Sequence, residues 1–295
     1  GGGTLLENRT DIPLTNTGTV KVTSGAIQFN GNVTSNAGAF DAGTGTTINF
    51  TAGGNAFNTG TSFTGAGTNL LSGSASVAGT ISSDNFRFAG GTLSGTASVG
   101  GSAMNWASGT ISGGTLTINS GATLTLSGTS DKIVNNGTLS VAGAGTWDGV
   151  GRILLNNNGA LNTVSGGTFS ATGDGTIDCT VAPCGSITNA GTFQKTGGTG
   201  VTLQNRTDIA FNNAGTVNIT SGTLTLNDGG SETGTFDVAV GKTLNFGGGS
   251  GSFGDGSVIT GGGSVNLAGG SFSLTGATTG LNVTGAGTAL NVTGA

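Results

Sequence analysis

The sequence has no histidine and no tyrosine, only two prolines and two cysteines, and charged residues make up 7% of its 295 residues. Eight basic and 13 acidic residues leave a net charge of -5, and lysine and arginine form no run. Without such a run, the chain has no patch that would neutralise nucleic-acid phosphates. No stretch has the length and apolarity of a membrane-spanning helix. The sequence therefore predicts neither nucleic-acid binding nor membrane insertion in this segment.

The sequence opens with GGGTLLENRT, without a methionine and without the pattern of a signal peptide. This opening falls inside a repeating pattern that is described below. We expect an internal segment of a longer repeat protein, or a processed chain. The opening residues therefore carry no information about export.

Glycine, in contrast, is abundant, with 63 residues. Such a content is usually typical of flexible or low-complexity chain. Here, however, 34% of the residues are hydrophobic, and they are spaced regularly along the whole sequence. A disordered linker does not distribute apolar residues in this way. The glycines are therefore interpreted as turn residues of a regular β structure.

The apolar residues recur as pairs separated by one polar residue, and each pair is followed by Gly, Asn or Ser. Alternation with a period of two predicts short β-strands with one buried face. No helical periodicity occurs, so the chain is predicted to be all-β, with strands of about three to five residues. The pairs include Val20/Val22, Ile27/Phe29, Ile48/Phe50, Leu116/Ile118, Leu124/Leu126, Leu139/Val141, Val217/Ile219, Leu224/Leu226, Leu244/Phe246, Val265/Leu267, Phe272/Leu274, Leu281/Val283 and Leu290/Val292.

The spacing of these pairs predicts how the strands are stacked. Successive pairs often begin seven to nine residues apart, as at positions 265, 272, 281 and 290. An Asn-x-Gly-Thr/Ala signal recurs more slowly, at Asn16, Asn36, Asn189 and Asn213. Three strand-and-turn units then make one coil of roughly 20–25 residues. The sequence predicts a parallel β-solenoid with three faces.

The sequence also contains a repeat that is much longer than one coil. Residues 6–29 and residues 203–226 have similar sequences, LENRTDIPLTNTGTVKVTSGAIQF and LQNRTDIAFNNAGTVNITSGTLTL. On the larger scale, residues 1–99 resemble residues 198–295. A solenoid tolerates such duplication because each coil contacts only its neighbours. We predict a single elongated solenoid segment over residues 1–295 that continues end to end into other solenoid segments.

The pattern NNAGTVNITSGTLTL at residues 212–226 resembles the β-strand repeats of large bacterial exoproteins. These include autotransporter passenger domains and filamentous-haemagglutinin-like adhesins. The resemblance implies secretion, a right-handed parallel β-helix, and structural or adhesive work at the bacterial cell surface. As partners it implies surface glycans or other cells.

The two cysteines, Cys179 and Cys184, lie in DCTVAPCG. Their spacing, with Pro183 between them, predicts a small loop closed by a structural disulfide, and free thiols are the alternative. A metal site would need further ligands, and the chain offers no histidine and no third cysteine. A redox motif would normally read C-x-x-C. A bridged pair would indicate an oxidising compartment.

Two groups of residues are candidates for carbohydrate chemistry. Asp148 and Arg152 lie near Trp147, which could stack on a sugar, although Trp147 could equally fill the core. The copied Asn-Arg-Thr-Asp boxes place Arg9 with Asp11, and Arg206 with Asp208, at strand-face spacing. Because the boxes are copied together with the surrounding apolar pattern, a same-face ion pair or a contact to a neighbouring coil is the favoured interpretation. Because the acidic residues are otherwise scattered, the paired carboxylates of a glycosidase are not predicted.

Calcium and ice are the remaining ligands for which the sequence contains candidate residues. Asp174 and Asp178, or Asp228 and Glu232, could bind a calcium ion incidentally, although the tandem nonapeptides of calcium-binding solenoids are absent. Thr-x-Thr pairs occur at Thr115/Thr117, Thr123/Thr125 and Thr223/Thr225. An ice-binding face would need such pairs one coil apart, and the first two are only eight residues apart. No cofactor is predicted.

From these observations we expect a secreted structural or adhesive β-solenoid, a stalk, fibre or filament segment without catalytic activity. A polysaccharide-binding or polysaccharide-cleaving β-helix is the alternative, and an ice-binding surface is a minor one. A clustered acidic groove would favour the alternative, whereas uniform polar faces would favour the stalk.

Overall fold

The computed structural model of the chain describes residues 5–8, 11–204, 208–267, 271–274, 282–283 and 289–292, with the backbone alone for 202–204, 274, 282–283 and 289–292. In these ranges the regular structure consists of 37 β-strands and no helix. The first strands are β1 Leu5–Glu7, β2 Leu14–Asn16, β3 Thr19–Val22, β4 Ala26–Phe29, β5 Val33–Ser35, β6 Ala39–Ala42, β7 Thr47–Phe50, β8 Asn55–Phe57, β9 Ser62–Thr64, β10 Thr68–Leu71, β11 Ala75–Val77, β12 Gly79–Ser83, β13 Phe86–Ser94, β14 Ala97–Gly101, β15 Ala103–Ile118, β16 Thr123–Leu126, β17 Lys132–Val141 and β18 Ala144–Trp147.

The remaining strands continue the same succession of short strands and turns. They are β19 Ile153–Asn156, β20 Ala160–Thr163, β21 Thr168–Ala171, β22 Thr176–Asp178, β23 Ser186–Asn189, β24 Thr192–Lys195, β25 Val201–Gln204, β26 Ala210–Asn213, β27 Thr216–Ile219, β28 Thr223–Leu226, β29 Ser231–Glu232, β30 Thr235–Val238, β31 Thr243–Phe246, β32 Ser250–Phe253, β33 Val258–Gly261, β34 Ser264–Leu267, β35 Ser271–Leu274, β36 Asn282–Val283 and β37 Ala289–Val292.

Parallel pairing arranges these strands in three ladders. β2 pairs with β5, β3 with β6 and β4 with β7, so three strands complete one coil. The ladders that begin with β1, β2 and β3 are called the first, second and third face. About 12 turns are stacked, which at one strand spacing per turn gives a rod on the order of 60 Å long. The predicted all-β, three-faced parallel solenoid is confirmed.

The length of a coil varies more widely than the predicted 20–25 residues. Asn69 pairs with Phe86, which is a coil of 17 residues, whereas Thr176 pairs with Leu203, which is a coil of 27 residues. The paired strands stay in register while the corner loops absorb the difference. Insertions at a corner are tolerated because they do not disturb the ladder of backbone hydrogen bonds.

Three strands are longer than the sequence predicts, because they continue around the corners of the solenoid. β15 covers 16 residues and pairs with strands on all three faces. Its corners contain Gly109, Gly113 and Gly114, which have positive φ angles. Glycine adopts this conformation without a steric penalty. β13 turns a corner at Gly91 and β17 turns one at Asn136, which also have positive φ angles, so these corner residues lie within long strands and not in separate turns.

The core is a narrow column of the inward residues of all three faces. The alternating pairs point inward where the structure describes their side chains, with Ile48, Phe50, Leu116 and Ile118 almost fully buried. The predicted pairs Leu281/Val283 and Leu290/Val292, and the second member of Phe272/Leu274, lie outside the described side chains. A cluster of aromatic rings fills the first coils, with edge-to-face or stacked contacts at centroid separations of 4.5 to 6.4 Å. Each side chain added to this column contacts the coils on either side of it, which is how the stack is stabilised.

The asparagine of the Asn-x-Gly signal links one coil to the next. Asn16 Oδ1 accepts a hydrogen bond from the Gly18 amide, and its Nδ2 donates to the Ala39 carbonyl of the following coil, each at 3.1 Å. Asn213 makes the same pair of bonds with Gly215 and Thr235. A buried asparagine therefore satisfies backbone groups at the corner that no ladder would reach.

Asn36 departs from the predicted pattern. Its side chain is exposed, and the inward position before the turn is occupied by Ser35, which is fully buried. The sequence signal at this corner is therefore shifted by one residue. A serine hydroxyl, which hydrogen-bonds the Gly38 carbonyl, replaces the asparagine amide.

Glycine is required where successive coils approach each other closely. Gly65 has a φ of +92°, and a Cβ atom there would overlap the carbonyl oxygen of Ala42 in the preceding coil. No side chain fits both the conformation and the space. The high glycine content is therefore a consequence of stacking backbone corners directly on one another.

The two copies of the long repeat do not lie on the same face. Asn16 ends β2 on the second face, whereas Asn213, its counterpart in the sequence, ends β26 on the third face. Likewise Val20 lies on the third face and Val217 on the first. Variable coil lengths and the long strands have turned the second copy by one face. The repeat therefore preserves the inward pattern and the corners, but not the orientation of its outward residues.

Candidate functional site

The cysteine loop lies in one of the widest coils. Cys179 and Cys184 are joined by a disulfide with a Cα–Cα distance of 5.6 Å. Cys179 is almost completely buried against the core, and Cys184 packs partly against it. Asn156 Oδ1 of the preceding coil accepts hydrogen bonds from the Thr180 and Val181 amides at 2.8 and 3.2 Å. The loop is thus closed by the disulfide and attached to the coil before it.

Beside this loop an ionic network crosses three successive coils on the second face. Arg152 Nη2 lies 2.7 Å from Asp131 Oδ2, and Arg152 Nη1 lies 3.3 Å from Asp178 Oδ2. The hydrogen bond and charge of Asp131 are the main reason that the pKa of Arg152 is raised. Because the three side chains are partly exposed, solvent screens the pairs and each contributes little to stability.

The predicted grouping of Asp148, Arg152 and Trp147 is not formed. Arg152 pairs with Asp131 and Asp178, whereas Asp148 accepts hydrogen bonds from the Gly128 and Val150 amides at the corner. Trp147 is fully buried, and its Nε1 donates to the Gly151 carbonyl at 2.9 Å. Trp147 therefore fills the core and offers no surface on which a sugar could stack.

The first pair of calcium candidates is separated by other partners. Asp174 Oδ1 accepts a hydrogen bond from Lys195 Nζ at 2.7 Å, which is the main reason that the pKa of Asp174 is lowered. Asp178 Oδ1 accepts from the Cys179 amide while its Oδ2 faces Arg152. Each carboxylate is thus paired with a cation or an amide of the chain itself.

In the second pair of calcium candidates, Asp228 and Glu232, one carboxyl group is buried and not at the surface as expected. Glu232 points inward and is 1% exposed, and its Oε2 has no hydrogen-bond partner within the described part of the chain. Burial raises its pKa to about 8, and a backbone hydrogen bond from Asn213 only partly opposes this shift. Asp228 lies at the corner, where burial also raises its pKa. Glu232 is therefore a neutral core residue at moderate pH, not a surface ligand.

The burial of two lysines was not predicted from the sequence. Lys132 and Lys195 occupy inward strand positions and are fully buried. Lys132 Nζ donates to the Gly128 and Ser130 carbonyls at 2.8 and 2.9 Å, and burial lowers its pKa against the opposing charges of Asp148 and Asp131. Both lysines occupy a position of the period-two strand pattern that is otherwise apolar. This position is the only feature of the sequence that indicates their burial.

The Asn-Arg-Thr-Asp boxes fall partly outside the described residues. Arg9 and Arg206 are not among them. Asp11 and Asp208 lie in turns, so the prediction that they share a strand face with the arginines is wrong for the aspartates. A turn position fits the local hydrogen-bonding preference of aspartate.

The third face carries a long column of uncharged polar side chains. At one outward position of this ladder, the paired residues of ten successive strands are all Ser, Thr or Asn. Thr80 and Ser98 are hydrogen-bonded across the first step at 2.9 Å. Hydroxyl and amide groups both donate and accept hydrogen bonds. The column consists of Thr80, Ser98, Thr117, Ser140, Asn162, Thr188, Asn212, Ser231, Ser252 and Ser273.

The Thr-x-Thr pairs are distributed as the sequence predicts. Thr117 lies on the third face, Thr125 on the first and Thr225 on the second. Thr115 and Thr117 do face Thr138 and Ser140 in the next coil, but Ala160 and Asn162 follow them. A regular double row of threonines is therefore not present on this face.

Comparison with known proteins gives no relative: no family model, no curated protein and no solved structure matches this chain. Among the described residues, no three His, Cys, Asp or Glu side chains are grouped as metal ligands. The same residues include no helix that is long and apolar enough to cross a membrane.

Proposed function

We propose that the chain is a structural or adhesive segment of a secreted bacterial surface protein, of the kind represented by autotransporter passengers and filamentous-haemagglutinin-like adhesins. In this role the solenoid is a stalk, fibre or filament segment that performs no catalysis. The observation that carries the proposal is the uncharged polar column of the third face. It presents one hydroxyl or amide side chain per coil along most of the rod.

The architecture supports a mechanical role. Every coil is held to its neighbours by three parallel ladders and by inward side chains, so force applied along the rod is shared between successive coils. The asparagine links at Asn16 and Asn213 add side-chain bonds between coils at the corners. A rod of this kind holds a binding surface at a distance from the cell, and no separate scaffold is needed.

The surface chemistry supports adhesion through many weak contacts. Hydroxyl and amide groups can meet the hydroxyl groups of glycans on another surface in either hydrogen-bonding direction. Contacts between these uncharged hydroxyl and amide groups depend little on salt. The partners we propose are surface glycans or other cells along the faces, and further solenoid segments at the ends.

The disulfide supports an extracellular location. Structural disulfides persist in oxidising compartments and on cell surfaces, and they are rare in the reducing cytosol. The bond between Cys179 and Cys184 lies in a wide coil whose loop is otherwise fixed by the side chain of Asn156. An oxidising environment would keep this loop closed.

Labelling of intact cells tests the proposal. Antibodies against the purified chain should label unpermeabilised cells that produce the protein from its own gene, and gentle mechanical shearing should release the labelled material. The matched control is an antibody against a cytosolic protein of the same cells, which should label only after permeabilisation. Labelling of the solenoid only after permeabilisation would contradict the proposal.

A further inference from the structure

An open groove of about 260 Å³ lies on the first face, next to the outward side chains of Arg87, Asn105 and Thr125. These three residues are partners in successive strands, since Arg87 pairs with Asn105 and Asn105 with Thr125. Their side chains therefore follow one another along the rod at about 4.8 Å per step. Asp84 lines the groove from the adjoining corner.

The groove coincides with the shortest coils of the rod. Asn69 pairs with Phe86 and Phe86 with Met104, which gives coils of 17 and 18 residues, whereas the coil from Thr47 to Thr68 has 21. Gly67 and Ala103 line the groove without long side chains. Short coils and small residues together leave a recess between wider coils.

The polar groups around this recess have unused hydrogen-bonding capacity. Arg87 is exposed, and its guanidinium makes no hydrogen bond or ion pair with the residues that the structure describes. Asp84 Oδ1 accepts from the amide and hydroxyl of Ser102, but Asp84 Oδ2 receives no donor from the described residues. Asn105 Nδ2 donates to Ser127, and its Oδ1 is buried without a partner in the same part of the chain, so the unused groups that face the groove belong to Arg87 and Asp84. Arg152, in contrast, is paired with two aspartates.

We propose that this groove binds a sugar unit that carries a carboxylate group. The planar guanidinium of Arg87 matches a carboxylate with two parallel hydrogen bonds. Asp84 Oδ2 and the Thr125 hydroxyl are then the acceptors for ring hydroxyls. The volume lies just below the range of pockets for drug-sized ligands, which fits a single sugar ring. The site gives the adhesive role proposed above a ligand class and rests on it.

Titration with glucuronic acid and its methyl ester, followed by NMR of the isotope-labelled protein, tests this site. Glucuronic acid should bind saturably in the millimolar range, with shifts centred on Arg87, Asn105 and Thr125. The methyl ester, which has the same ring but no charge, should bind at least roughly tenfold more weakly, because the charge-assisted pair is lost. Added salt should weaken only the binding of the acid.

Arg87→Ala should weaken binding of the acid by roughly tenfold or more, which is about 1.4 kcal/mol. The matched control is Arg152→Ala, which removes another exposed arginine, one that is paired with two aspartates away from the groove, and it should leave binding unchanged. Both arginines point outward, so the variants should retain the β circular dichroism of the parent. Absence of saturable binding, equal binding of the ester, or equal effects of the two variants would each overturn the site. Cell-surface labelling would be unaffected by these results, so the two proposals can fail separately.

Discussion

Replacing Glu232 with glutamine should remove a loss of stability that the protein shows between about pH 5 and pH 8. The side chain is almost completely buried in β29, between Asn213 and Phe253 of the neighbouring coils. Burial raises its pKa from 4.5 to about 8. Between these values the folded protein holds a proton that the unfolded chain has released. Stability therefore falls as the pH rises through this window, by about 1.4 kcal/mol per pH unit.

Over the whole window the expected loss is about 3–5 kcal/mol, which is a large part of the stability of an ordinary domain. Glutamine has the shape of the protonated acid and does not titrate. Glu232→Gln should therefore match the parent near pH 5 and exceed it near pH 8 in the urea midpoint. Asp237→Asn removes an exposed carboxylate from the next strand, β30, and serves as the control. Parallel midpoint curves for the parent and Glu232→Gln would show that the buried carboxyl does not govern the pH dependence.

Lys195→Met should destabilise the protein by roughly 1–3 kcal/mol at neutral pH, because three partly exposed acceptors would lose the charged donor of a fully buried side chain. Lys195 Nζ donates to Asp174 Oδ1 at 2.7 Å, to the Gly197 carbonyl at 3.0 Å and to the Gly173 carbonyl at 3.3 Å. These bonds connect the corner of one coil with the corner of the next. Methionine fills the same inward space but cannot donate a hydrogen bond.

Lys21→Met is the matched control for this variant. The side chain of Lys21 is 60% exposed and pairs with Asp41 at 2.8 Å. Exposed pairs contribute at most about 1 kcal/mol. Denaturant midpoints should therefore shift clearly for Lys195→Met and little for Lys21→Met. Similar shifts for both variants would contradict the stabilising role of the buried ammonium.

The inward side of the fold was predictable from the sequence because burial imposes a period of two. Ile48/Phe50 and Leu116/Ile118 could be assigned to the core from spacing alone, and the interval between successive pairs predicted three faces. The asparagine signal also marked real corners at Asn16, Asn189 and Asn213. In each case a local pattern reports directly on a local structure.

The contacts between coils were not predictable in the same way. Arg152 lies 21 residues from Asp131 and 26 residues from Asp178, and small changes in coil length decide which charges meet. Within the described residues the coils vary from 17 to 27 residues, so the register accumulates shifts that the sequence does not mark. Glu232 and Lys195 were missed for another reason. Their charge suggested the surface, whereas their strand position placed them inside.

The rotation of the long repeat by one face bears on function. Asn212 lies in the polar column of the third face, whereas its counterpart Thr15 lies on the second face. Duplication has therefore copied the core and the corners but has not extended one binding surface. This is consistent with a role in which length matters, and in which binding sites such as the proposed groove at Arg87 are local features of particular coils.

The coils form a linear stack, and distances between spin labels on the third face test this arrangement most directly. Thr80 and Asn162 are four coils apart, and Thr80 and Ser252 are eight coils apart in the same ladder. Cysteine pairs at these outward positions should give label separations of about 19 Å and about 38 Å, a ratio of two. The native cysteines are bonded to each other and should not take up label. Separations that do not increase in proportion to the number of coils would contradict the solenoid and every role proposed for it.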